Sequence, residues 1–235
     1  MMLTASISMA LLTFGLQAEP IFENDFEHAE SLQQFDAVSH KDRISFAVDP
    51  LDDSNQVVRV DMLEGGHYGG SIHVDFANHT ADGQEPARAY FRYRLYFDES
   101  WTGHIGGKLP GFGGTYNIAG WGGKPSDGTN GWSARGMYGR IDEDGRVPIG
   151  SYVYYADMVD EGRTYGKGMW WDTSLEHGRW YTIEQEIQLN SIAESDEDAV
   201  VDAGTDSDAQ KAGNSDGWLK AWVDGELVFD QQGLH

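Results

Sequence analysis

Cysteine is absent from the 235 residues. That removes disulfide staples and thiolate metal sites from consideration. Export stays open, because a chain of this length can bury a core without covalent cross-links. Positive charge is scarce: sixteen Lys and Arg stand against 39 Asp and Glu, a formal net charge of −23. Nucleic acid is therefore not an expected partner. Long apolar runs are missing after the first eighteen residues, so no later segment is expected to span a membrane. Extended helical periodicity is missing as well, which argues against a helical bundle.

Present instead are thirty glycines, an aromatic content of 12%, and short alternating runs separated by turn residues. That is the pattern of strands packed as a sandwich or barrel. From Ala89 to Phe97 the odd positions are Ala, Phe, Tyr, Leu and Phe, while Tyr90, Arg92, Arg94 and Tyr96 fall on the other face. Trp180 to Leu189 turns Tyr181, Ile183, Ile187 and Leu189 inward, with Thr182, Glu184, Glu186 and Gln188 outward. Val57 to Met62 is a further strand, and Asp224-Gly225 between two apolar runs signals a hairpin. Residues 1–18 are apolar and uncharged, too short for a membrane span, and are expected to be a signal peptide of a secreted protein. Residues 19–235 are expected to form a single domain. Its one interruption is an acidic, Ser/Ala/Gly-rich insertion over 191–216, whose aspartates do not match the helix-loop-helix calcium spacing.

Charge is unevenly spread. Between Pro86 and Arg140 seven Lys and Arg outnumber three acids, while the remainder holds nine basic and 36 acidic residues. A basic island in an acidic shell suggests a local site for an anion. Inside it, nine of the 21 residues from Gly103 to Gly123 are glycine, and Lys108 sits among them. Such a stretch is expected to be a loop, since glycine disfavours both helix and strand. If 132–138 is extended, Ser133 and Arg135 share a face. Tyr152 and Tyr154 share one in the same way.

Two cations, a hydroxyl and two phenols lack the paired carboxylates of a glycosidase. They also lack a Ser-His-Asp order and a metal-ligand cluster. They suit β-elimination on a uronate polymer. In that reaction a cation neutralises the carboxylate so that the adjacent proton becomes removable. A base then takes the proton and an acid protonates the departing oxygen. The planar fork of Arg135 matches a carboxylate. Lys108, Tyr152 and Tyr154 are the candidates for proton transfer, with base and acid left open among them. Arg92 and Arg94, within the basic island, and His67, in a glycine-rich stretch, join Ser133 and Arg135 as candidate substrate contacts.

The blocks Gly106-Gly107-Lys108-Leu109-Pro110-Gly111, Gly131-Trp132-Ser133-Ala134-Arg135, Tyr152-Val153-Tyr154, Gly178-Arg179-Trp180-Tyr181 and Trp222-Val223-Asp224-Gly225 resemble, in this order, polysaccharide lyase family 14. That family includes alginate and glucuronan lyases. The resemblance runs from about Val57 to Phe229. It implies an all-β jelly-roll β-sandwich with a concave substrate-binding sheet, and elimination without a required metal or cofactor. By motif it places the catalytic lysine at Lys108, the serine and arginine at Ser133 and Arg135, and the tyrosine pair at Tyr152 and Tyr154. An anionic polysaccharide is then the expected partner of a monomer. Similar lyases continue beyond the Asp224-Gly225 hairpin, so a chain ending at His235 is expected to lack strand material. The competing reading is a non-catalytic carbohydrate-binding sandwich using Trp121, Trp132, Trp170 and Trp171. A sandwich-fold glycoside hydrolase is disfavoured, because acids two and four apart occur only in the polar insertion, at Glu194, Asp196 and Asp198.

Overall fold

The computed structural model describes residues 19–64, 69–103, 105–192 and 213–235. The expected leader, His67 and the body of the acidic insertion lie outside the described residues. Among the described residues no helix is long and apolar enough to cross a membrane. The chain divides into two compact units, one from 19–59 with 71–85 and one from 60–70 with 86–235.

In the first unit, β1 (Ala37–Ser39) is followed by β2 (Ile44–Asp49), β3 (Asp52–Val60) and β4 (Ser71–His73). β1 pairs with β4, and β2 with β3. A single helical turn, α1 (Phe76–His79), is tied down by Asp36. The Asp36 carboxylate accepts from the Asp75 amide at 2.7 Å and the Asn78 amide group at 2.7 Å, and meets His79 at 2.9 Å. These hydrogen bonds hold the Asp36 carboxyl down at about 2.

The second unit holds β5 (Arg88–Tyr96), β6 (Gly107–Gly114), β7 (Trp132–Tyr138), β8 (Val147–Tyr154), β9 (Lys167–Leu175), β10 (Trp180–Gln188), β11 (Gly217–Val223) and β12 (Glu226–Leu234). They form two four-stranded antiparallel sheets, ordered β12-β11-β10-β5 and β6-β7-β8-β9. The sheets stack as a β-sandwich, the all-β architecture that the alternation called for. Tyr181, Ile183, Ala221 and Val223 of one sheet share a core with Tyr138, Val147, Ile149, Trp171 and Leu175 of the other. β10 alternates strictly between buried and half-buried positions. Ile183 at 0% exposure contributes roughly 1.5–3 kcal/mol through burial alone. Some of the polar groups turned inward find partners across the core. Gln185 donates to the Pro110 carbonyl at 3.0 Å, and the Trp171 indole donates to Ser151 Oγ at 3.0 Å. Asp224 and Gly225 both take positive φ (50° and 82°), the geometry of a two-residue hairpin that follows the strand twist.

The glycine-rich stretch departs from expectation. Residues 107–114 are not a loop but the edge strand β6. Three physical facts override the poor propensity. An edge strand tolerates Pro110, because one side of its ladder is unpaired. The register shifts between Lys108 and Gly111, so the strand absorbs an irregularity. Most directly, the β7 backbone approaches too closely for a side chain at Gly111. A Cβ at Gly111 would sit 2.5 Å from the Ala134 carbonyl oxygen and 2.7 Å from Arg135 Cα. Gly111→Ala is therefore expected to force β6 away from β7 at a cost on the order of 1–3 kcal/mol. A fall in melting temperature together with a larger fall in activity than Gly113→Ala produces would show it, since a Cβ at Gly113 meets nothing closer than 3.6 Å. β7 and β8 are joined by residues 139–146.

Candidate active site

One face of the β6–β9 sheet lines the core. The other collects the chemistry. On β8, Val147, Ile149, Ser151 and Val153 point inward, which turns Gly150, Tyr152 and Tyr154 to the opposite face. Register carries this face across the sheet. Lys108 pairs with Met137, Met137 with Gly150, and Gly150 with Trp170. The next row runs Gly111, Arg135, Tyr152, Gly168, and the third runs Gly113, Ser133, Tyr154. Lys108, Arg135 and Tyr152 thus converge from three adjacent strands although the sequence separates them by up to 44 positions.

The Lys108 ammonium lies 3.4 Å from the centroid of the Tyr152 ring. Lys108 is exposed as a residue, yet crowding around its ammonium, and then the Arg135 charge, lower its pKa from 10.5 to about 8. The electron-rich face of Tyr152 works in the other direction, favouring the protonated lysine. Tyr152 is half-buried. Burial, and then Tyr154, raise its phenol above the ordinary value, with Arg135 opposing. The site therefore offers a lysine that loses its proton well below the ordinary lysine value and a phenol that keeps its own.

The other two residues of the motif are built in more deeply. Ser133 is fully buried, and its hydroxyl donates to the Gly120 carbonyl at 2.6 Å. Tyr154 is 1% exposed and its hydroxyl accepts from the Gly123 amide at 3.2 Å. Both anchor residues 115–131, the loop joining β6 to β7. Gly120 and Gly123 hold φ of 86° and 80° there, the left-handed region that favours glycine. Tyr154 also supports the neighbours above it: its ring packs edge-on to Tyr152 at 5.7 Å, and the Arg135 guanidinium lies 6.0 Å from its centroid.

Arg92 and Arg94 do not join this group. They sit on the outer face of β5, in the other sheet, with the core between them and Lys108. Arg92 approaches Glu184 at 3.9 Å, and Arg94 covers Trp180 at 4.9 Å. Charge clustered along the sequence is here divided between two sheets. Of the four tryptophans considered for sugar stacking, Trp171 is 5% exposed and belongs to the core, whereas Trp170 and Trp121 are exposed. Sequence reading missed Met137, whose Sδ and Cε lie over Gly150 and Gly168 and form an apolar floor beside Arg135. Its signal was its place in the Ser133, Arg135, Met137 alternation.

Comparison with known proteins bears on this constellation. The family description Polysaccharide lyase 14 matches residues 50–211. Among solved structures, the alginate lyase vAL-1 from Chlorella virus is 18% identical, with a TM-score of 0.53, covering 84% of this chain and 74% of that one. The alginate lyase Aly36B is 22% identical over 62% of this chain and 51% of its own, with a TM-score of 0.42. An endo-beta-1,4-glucuronan lyase from the fungus Trichoderma reesei is 12% identical over 62% and 49%, at 0.32. This chain thus spans about half the length of Aly36B and of the glucuronan lyase. No curated protein matches it. The family match covers more than two thirds of the sequence and contains all the residues that meet on the β6–β8 face, and on that ground the chain belongs to polysaccharide lyase family 14.

Proposed function

We propose that the chain cleaves a uronic acid polymer by β-elimination. The observation that carries this is the meeting of Lys108, Arg135 and Tyr152 on one sheet face, with the lysine lowered to about 8 and the phenol raised. Arg135 pairs with the uronate carboxylate and stabilises the negative charge that develops on it. Neutral Lys108 takes the proton from C5. The freed electron pair forms the C4–C5 double bond as the bond from C4 to the glycosidic oxygen breaks. Tyr152 gives that oxygen its proton. Ser133 and Tyr154 hold the 115–131 loop and the rings in place. Alginate is put before glucuronan, because vAL-1, the solved structure above with a TM-score over 0.5, is named as an alginate lyase.

The new double bond is conjugated with the carboxylate and absorbs in the ultraviolet. Incubation with alginate or glucuronan is expected to produce that absorbance continuously, and a protein that binds either polymer without producing it is not a lyase for that polymer. Tyr152→Phe isolates the acid. The ring under Lys108 remains while the hydroxyl goes, so turnover is expected to fall roughly 10²- to 10⁴-fold with little change in substrate affinity. Undiminished turnover in Tyr152→Phe would take the acid role away from this residue.

A further inference from the structure

Beyond the three proposed catalytic residues, the same sheet face carries a large aromatic side chain without an assigned task. Trp170 is 56% exposed. It stands in the row Lys108, Met137, Gly150, Trp170. Its neighbour Trp171 takes the core position, so alternation along β9 presents Trp170 to the outside. The indole is seated rather than loose: a Cβ at Gly139 would lie 2.9 Å from its Cη2 atom and 3.6 Å from Pro148 Cβ. The ring therefore leans back across β8 toward the end of β7, in the direction of Lys108. Between the two lies a low floor, because Gly150 has no side chain and the Met137 thioether covers it. An exposed indole fixed by packing, beside a bare apolar floor and in register with a cation, has the form of a platform.

We infer that Trp170 is a sugar-stacking subsite for the uronate polymer, holding a ring that is not the one losing its proton at Lys108. This rests on the lyase reading of the site. Three strand spacings separate the two Cα positions, roughly 14 Å at ~4.8 Å each, and the leaning indole shortens that reach. A sugar stacked on the indole therefore sits at least one residue along the chain from the scissile bond. The polymer crosses the strands rather than following them. Stacking engages the apolar C–H face of the ring, so it adds affinity without adding charge, complementing the carboxylate contact at Arg135.

Chain length is the discriminating variable. Binding of uronate oligomers of increasing length is measured by titration calorimetry for the wild type, Trp170→Ala and Trp170→Phe, with melting temperature as the control on folding. Trp170→Ala is expected to weaken hexamer binding about tenfold or more, to change trimer binding less than about twofold, and to be largely restored by Trp170→Phe. Unchanged hexamer affinity, or an equal loss at every length, overturns the inference. Because the readout is binding, the two readings fail separately. A length-dependent loss in a protein that produces no unsaturated product sinks the lyase proposal and leaves the platform standing. Elimination with hexamer binding unaffected by Trp170→Ala does the reverse.

Discussion

Lys108→Ala is expected to lower kcat on alginate or glucuronan by about 10³-fold while leaving the fold intact, since removing a positioned base forfeits 10²–10⁴. Lys108 is exposed and on an edge strand, so its truncation opens no cavity. The melting temperature should stay within a degree or two, which separates lost chemistry from lost structure. Lys108→Arg sharpens the result. It keeps the positive charge above the Tyr152 ring, but a guanidinium does not release its proton at working pH. Activity should therefore remain as low as in the alanine variant. Recovery in Lys108→Arg would mean that the residue serves as a fixed cation, and the base would have to be sought elsewhere. In the wild type, log(kcat/KM) is expected to climb with a slope near one up to about pH 8 and then level, because only the neutral amine takes a proton.

How far the sequence reveals this site depends on which physical signal each residue carries. β5 and β10 declare themselves by alternation, and the Asp224-Gly225 turn by its chemistry, so the two-sheet sandwich is legible. β6 is hidden: four of its eight residues are glycine, and local propensity argues against a strand. Crowding by β7 explains Gly107, Gly111 and Gly114 but not Gly113, which has room for a Cβ, and that crowding is a tertiary fact. Within the site, the i, i+2 spacing of Ser133 with Arg135 and of Tyr152 with Tyr154 announces shared faces. Depth is not announced. Ser133 and Tyr154 show the same spacing as their partners yet lie under the 115–131 loop with their hydroxyls engaged. Arg92 and Arg94 illustrate the complementary limit. Nearness along the chain made them part of one basic island, but β5 pairs with β10, and the core separates them from Lys108.

Arg135 couples the two halves of the proposed mechanism, and its removal should be read through both. Arg135→Gln is expected to reduce kcat/KM by on the order of 10²- to 10³-fold, the scale of losing one preorganised group that stabilises developing negative charge. It should also move the acidic limb of the pH profile. The Arg135 charge is the second cause of the low Lys108 pKa, after desolvation. Removing it relieves repulsion on the protonated amine, so the pKa rises, the neutral fraction at a given pH falls, and the limb shifts to higher pH. It should stop short of the ordinary lysine value of 10.5, since desolvation remains. Arg135→Lys separates the effects. The charge stays near Lys108 and the limb should stay near its wild-type position, but the planar fork is gone and kcat/KM should remain well below wild type. A limb that does not move in Arg135→Gln would mean that the titrating group is not Lys108, even if the activity loss is as large as expected. The shift, more than the loss, therefore tests whether these two side chains act as one unit.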